Sequence, residues 1–167
     1  RSLLPAAGET TTRTFGTLMV QLLENPDVLE RVRADRGLVN KAIDESIRYE
    51  PVATFKVRQA ADATEIRGVQ IPKGAMVSCI VSSANRDEEA FVNADKFDID
   101  RKPRPSFGFG FGPHMCIGQF VAKTEINCAL NAILDLMPNL RLDPSKPAPK
   151  ITGAQLRGPH ELHVLWD

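Results

Sequence analysis

The sequence predicts a mainly α chain with small β-sheets, an α+β arrangement, and two observations lead there. Apolar residues recur at helical spacing over three long stretches, 3–24, 38–49 and 117–137. Between the second and third stretches, 55–83 alternates short strand-like runs with Gly and Pro turns.

In 3–24, Phe15, Leu18, Met19, Leu22 and Leu23 form one apolar stripe. No cap precedes it and no initiator methionine stands at Arg1, so the chain reads as truncated upstream. Asn25-Pro26 is a cap followed by proline at the first helical position, and a short helix runs to about Ala34 before Gly37 breaks it. The helix over 38–49 is stopped by Pro51. Strands are expected over 55–60, 65–66, 69–71 and 75–82, with turns at Gly68 and Pro72-Lys73-Gly74. Residues 84–115 are largely irregular, and a loop that long needs an anchor or a function. Pro138 ends the helix over 117–137, and 139–167 reads as short strands with Pro-rich turns.

The composition narrows the function classes. The 167 residues are 43% hydrophobic and 25% charged with a formal net charge of +0, enough for one sizeable core. That balance argues against nucleic acid as a partner. No apolar stretch approaches the ~20 residues that span a bilayer, and no signal peptide opens the chain. No membrane partner is expected, and the location expected is cytoplasmic. Cys79, Cys116 and Cys128 are odd in number and widely spaced, which makes no disulfide framework and fits a reducing compartment. Cys79 in a strand-like run and Cys128 on a helix are expected in the core, not as ligands.

Cys116 is different. It stands in Phe109-Gly110-Phe111-Gly112-Pro113-His114-Met115-Cys116-Ile117-Gly118, just before a helix whose periodicity continues through Phe120, Val121, Thr124, Ile126 and Leu130. A helix N-terminus offers unpaired N–H groups and the positive end of a dipole, and both favour a thiolate. Gly110 and Gly112 let the backbone turn where other residues cannot, Gly118 lets the first turn lie against a flat ring, and Phe109 can shield the sulfur. The arrangement is a cradle for a thiolate bound to a metal cofactor.

The loop resembles the haem-binding loop of the cytochrome P450 family, haem-thiolate monooxygenases, matching F-G-x-G-x-H-x-C-x-G at every fixed position over 109–118. The resemblance covers essentially the whole chain and implies that 1–167 is the C-terminal haem-binding portion of a single, longer domain whose N-terminal part is absent. It implies haem b with Cys116 thiolate as axial ligand, pushing electron density toward O–O cleavage. Phe109, Gly110, Gly112, His114 and Gly118 join it at the cofactor, and Arg58 and His114 serve the two propionates. Glu45 and Arg48, three apart on the helix over 38–49, resemble the family's buried E-x-x-R pair, with Arg101 of the following meander as third member. Ala6-Ala7-Gly8-Glu9-Thr10 resembles its oxygen-binding segment, with Ala7 in place of the usual glycine and Gly8 one position later. The acid and alcohol, Glu9 and Thr10, would be catalytic through proton delivery. Ala53, Thr54 and Phe55, with Thr152 and Gly153, would border a pocket for a largely hydrophobic small molecule.

The implied reaction inserts one atom of O₂ into an organic substrate, with electrons from NAD(P)H through a separate ferredoxin or flavin protein docking on the Cys-loop face. The chain alone is expected to be inactive. A haem-thiolate peroxygenase would keep the loop without needing Glu9 and Thr10; a non-catalytic haem sensor would keep the loop without turnover.

Overall fold

The computed structural model describes residues 3–167, with side chains from Ala6 onward; the uncapped start read at Arg1 lies outside them. The opening stripe forms α1 (Leu3–Glu24), followed by α2 (Pro26–Ala34), a 3₁₀ turn (Arg36–Leu38) and α3 (Val39–Tyr49). The helix expected over 38–49 therefore begins at Val39, with Leu38 at its cap position. Asn25 is the cap residue of α2, but its side chain makes no cap bond; Nδ2 instead donates to Gln21 O at 2.8 Å, tying α2 back to α1.

Two antiparallel hairpins follow. β1 (Phe55–Gln59) pairs with β4 (Met76–Ile80), and β2 (Thr64–Ile66) pairs with β3 (Val69–Ile71). The β2–β3 turn is Arg67-Gly68, both at positive φ (48° and 81°), the two-residue geometry that suits the twist of paired strands. β4 is shorter than the strand expected over 75–82, because Val81 to Ala84 turn into a four-residue helix, α4 (Val81–Ala84).

The meander after α4 is irregular until a 3₁₀ turn, Gly112–His114, and then α5 (Gln119–Leu136). The tail forms β5 (Arg141–Leu142), β6 (Ile151–Thr152), β7 (Gly158–Pro159) and β8 (Val164–Leu165), with β5 paired to β8 and β6 to β7.

The core lies where α1, α3 and α5 meet, around Leu18, Leu22, Ile43, Ile47, Ile126 and Leu130. α5 differs from its sequence reading in a way that matters for the site. Its buried positions are Ile126, Leu130 and Leu134, a stripe with a spacing of four. The apolar residues ahead of them point elsewhere: Ile117 is 92% exposed and Phe120 74%. Cys128, two residues beyond Ile126, falls on the opposite side of the helix and is exposed rather than in the core. Cys79 is exposed as well, because β1 and β4 form a two-stranded sheet with little packed over it. No helix among the described residues is long and apolar enough to cross a membrane.

Candidate active site

The meander that leads into the Cys116 loop is held by a buried charge cluster built on α3. Glu45 and Arg48 are one turn apart, and their side chains are 5% and 3% exposed. Arg48 Nε donates to Glu45 Oε2 at 2.8 Å and Nη2 to Oε1 at 2.7 Å, a two-pronged pairing that fits the planar shapes of both groups. Arg101 adds Nε at 3.2 Å from Oε1, and the Asp98 N–H donates to the same oxygen at 2.9 Å. The spare guanidinium N–H groups bind the meander backbone. Arg48 donates to the carbonyls of Asn85, Ala94 and Lys96 at 2.8–2.9 Å, and Arg101 to those of Val92, Asn93 and Lys96. The structure thus brings Glu45, Arg48 and Arg101 together, and the long irregular segment takes its shape from them. Such a charged group leaves water only when its donors and acceptors are met inside, as they are here.

Asn85, fully buried, continues the scaffold by accepting the Phe107 N–H on Oδ1 at 2.7 Å. Gly108 then presses on α3. A Cβ there would lie 2.2 Å from Ile47 Cγ2 and 3.0 Å from Ile47 O. Gly108→Ala is expected to push the loop off α3 and lower stability by about 1–3 kcal/mol. Gly8→Ala, where a Cβ would meet nothing within 4 Å, should be neutral or stabilising. Chemical denaturation of the two variants checks this, and a Gly108→Ala midpoint equal to wild type would show that the contact relaxes without cost.

Past Gly108 the chain doubles back. Gly110 and Gly112 have φ of 80° and 72°, values that only glycine adopts without strain. This lets the Cys116 N–H donate to Phe109 O at 2.8 Å. Phe109 packs against the hydrophobic core, with Lys123 Nζ 5.8 Å from its ring centre. Cys116 does not sit inside the helix. α5 is capped at Gly118 and begins at Gln119, so the helix expected from 117 starts two residues later; the Cys116 carbonyl accepts the Gln119 N–H at 3.4 Å. A Cβ on Gly118 would come within 3.9 Å of Cys116 Sγ, the nearest heavy atom it would meet. Cys116 is exposed, and so are the apolar residues near it in sequence, Phe111, Ile117, Phe120 and Val121.

His114 closes the 3₁₀ turn two residues before the cysteine and is exposed. Arg58 stands mid-strand in β1, exposed, with Nη1 donating to Val57 O. On α1, Thr10 Oγ1 donates to Ala6 O at 2.6 Å, and Thr12 and Thr14 likewise bond the carbonyls four residues back. Glu9 pairs with Arg13 at 2.8 Å. At the far end, Ala53 and Leu156 form a bridge, and Thr54 Oγ1 donates to Ala154 O at 2.5 Å. That contact joins 53–55 to the turn at Thr152 and Gly153.

A Glu50–Arg86–Arg157 cluster went unnoticed in the sequence. Its members are 36 and 107 residues from Glu50, and nothing in their spacing links them.

Among the described residues there is no cluster of three or more His, Cys, Asp or Glu side chains able to hold a metal ion. Cys116 as single protein ligand suits an iron that brings four nitrogen ligands of its own. The open space at Gly112, the lack of any side chain at Gly118 next to the cysteine and the exposed apolar residues on either side of Cys116 in sequence suit a flat, largely apolar ring. The residues present fit haem.

The chain belongs to the cytochrome P450 family: the Cytochrome P450 profile matches residues 2–152. It is 39% identical over 168 residues to Cytochrome P450-SU2 of Streptomyces griseolus, an alignment covering 99% of this chain and 42% of that protein. It is 37% identical to 20-oxo-5-O-mycaminosyltylactone 23-monooxygenase of Streptomyces fradiae, covering 98% of this chain and 40% of that one. The crystal structure of HmtT, involved in himastatin biosynthesis, superposes with a TM-score of 0.92 at 38% identity, over 97% of this chain and 41% of HmtT. The chain therefore spans about two fifths of these relatives' length and corresponds to a C-terminal portion of them.

Proposed function

We propose that this chain is the haem-holding portion of a monooxygenase acting on a largely hydrophobic small molecule. The observation that carries the reading is the Cys116 loop, folded back by Gly110 and Gly112, packed on α3 at Gly108 and preceded by a meander that the Glu45–Arg48–Arg101 cluster fixes to α3. Family membership, and a relative named as a monooxygenase, support the reaction class.

Cys116 as thiolate would hold haem b, with Phe109, Gly110, Gly112 and Gly118 shaping the surface beneath it and Arg58 and His114 offering N–H donors to its two carboxylates. When bound, the haem supplies activation of O₂ and insertion of one of its atoms into substrate, the other leaving as water. The chain's own part is to exclude water and move protons. The Thr10 hydroxyl proton is donated to Ala6 O, while its oxygen keeps acceptor capacity; turned away from Ala6 O, the hydroxyl would donate on the oxygen side and accept a proton in exchange. Glu9, one residue away, is the group that resupplies it from the surface, where it meets Arg13. Ala53, Thr54, Phe55, Thr152 and Gly153 line the substrate side.

Electrons would come from NAD(P)H through a separate ferredoxin or flavin protein on the Cys-loop face. There Lys41, Lys102, Arg104 and Lys123 line a cleft of about 680 Å³, with Asp44 paired to Lys123. That cationic rim suits an acidic partner. The location proposed is cytoplasmic.

Thr10→Ala should keep haem and NAD(P)H consumption in the full-length protein but divert reducing equivalents to hydrogen peroxide. Product per NAD(P)H should fall several-fold or more, bounded above by the roughly 10²–10⁴ that positioned proton transfer contributes. Unchanged coupling removes Thr10 from the mechanism. Turnover with hydrogen peroxide alone and none with a redox partner would make the protein a peroxygenase; full haem content without turnover under either condition would make it a sensor.

A further inference from the structure

Arg157 lies in the tail hairpin, between the turn at Gly153 and β7, and its guanidinium reaches in three directions. Nε donates to Glu50 Oε1 at 2.7 Å, Nη1 to Gly153 O at 3.3 Å and Nη2 to Ile151 O at 3.5 Å. Its backbone N–H donates to Val52 O at 2.8 Å. Glu50 caps the C-terminal end of α3, and its side chain is 15% exposed. Its other oxygen accepts from Arg86 Nη2 at 3.2 Å. Arg86 is fixed in turn: Nε donates to Tyr49 O at 2.9 Å and the guanidinium lies 4.1 Å from the Tyr49 ring centre. A half-buried carboxylate that meets two guanidinium groups, themselves 30% and 34% exposed, is a directional anchor.

The turn it anchors has no slack. Gly153 has φ of 110°, and a Cβ there would lie 2.1 Å from Leu156 O. On its opposite side the turn is held by Thr54, whose hydroxyl and N–H donate to Ala154 O and Gln155 O. Arg157 is thus the link that carries the position of α3 into the Thr152–Gly153 turn.

We infer that Glu50 and Arg157, braced by Arg86, form a clamp that sets where the Thr152–Gly153 wall stands and so how bulky a ligand the haem pocket accepts. These are positioning residues: they act on ligand through the carbonyls of Ile151 and Gly153. The inference rests on the reading of 53–55 and 152–153 as pocket wall.

Imidazole and 4-phenylimidazole, titrated spectrally into the haem-loaded full-length protein, separate the wall from the rest of the site. Both ligate iron through the same nitrogen and differ in bulk. Arg157→Met keeps the aliphatic stem and should change the dissociation constant for 4-phenylimidazole by about tenfold, or ~1.4 kcal/mol, leaving imidazole within about twofold. Glu50→Gln should shift the same ligand in the same direction by less. Arg157→Lys, which keeps the charge but not the planar fork, should fall between wild type and Arg157→Met. Equal shifts for both ligands would mean the clamp supports the haem itself, and unchanged constants in all three variants would mean the wall stands without it; either result overturns the inference. Failure of the wild-type protein to bind imidazole would instead overturn the reading of the Cys116 site.

Discussion

Cys116→Ala is expected to abolish the red-shifted Soret band that carbon monoxide gives with reduced thiolate-ligated haem, while Cys79→Ala and Cys128→Ala keep it at full intensity. All three thiols are exposed, so accessibility does not distinguish them. What does is the surrounding backbone. Cys79 lies in a two-stranded sheet and Cys128 in mid-helix, where neither has a ring-sized open surface shaped by glycines beside it. Cys116 has Gly110 and Gly112 at positive φ, no side chain at Gly118 next to it and four exposed apolar residues near it in sequence. Alanine there leaves no sulfur to donate, so the effect is all or none. The measurement is the difference spectrum of full-length protein, with haem content determined separately. A thiolate-type band surviving in Cys116→Ala and lost in Cys128→Ala would move the ligand to α5.

Truncating either member of the Glu45–Arg48 pair is expected to be nearly as severe. Glu45 is 5% exposed and meets two guanidinium groups and one backbone N–H. Removing Arg48 leaves that carboxylate with Arg101 and the Asp98 N–H only and also strips a partner from three meander carbonyls. Stranding one charge of a buried pair typically costs ~3–5 kcal/mol, against the ~5–15 kcal/mol that holds an ordinary domain together. Glu45→Ala and Arg48→Ala should therefore give protein that aggregates or lacks haem. Arg48→Lys, with one point charge in place of a fork, should retain only part of the lost stability. Folding and full haem content in Glu45→Ala would show that the meander holds its shape by other means.

The helices were legible because their apolar periodicity and proline stops are local. The Cys116 loop was legible because its residue types stand at fixed spacing, and the β2–β3 turn because Gly68 marks it, although nothing in the sequence signals the positive φ of Arg67. α5 was only half legible. The apolar residues from 117 on read as one continuous face, whereas Ile126, Leu130 and Leu134 are buried while Ile117, just ahead of the helix, and Phe120 and Val121 are exposed. Periodicity counts apolar positions but does not say which of two surfaces each will meet. Cys128 was misplaced for that reason, and Cys79 because a short apolar strand reads the same whether one face or neither is covered. The Glu50–Arg86–Arg157 clamp left no trace at all, since the ties among its three members span 36 and 107 residues.

The ties between α3 and the meander also bear on when the site takes shape. The Asp98 N–H and Arg101 Nε find Glu45 across 53 and 56 residues of chain. Closing a loop of that length costs roughly 3.5 kcal/mol in chain entropy, and the reward arrives only once the α3 end is already in place. Helices form in microseconds, whereas contacts between distant segments wait for loop closure. α5 reaches α3 across a longer loop still, 87 residues from Asn40 to Asn127, so the helical core and the meander leading to the cysteine are both expected to order late, and the surface that receives the cofactor is expected to be completed only then. A cofactor arriving before that moment meets a thiol on an unshaped strand of chain, so haem uptake should track the final folding phase, not collapse.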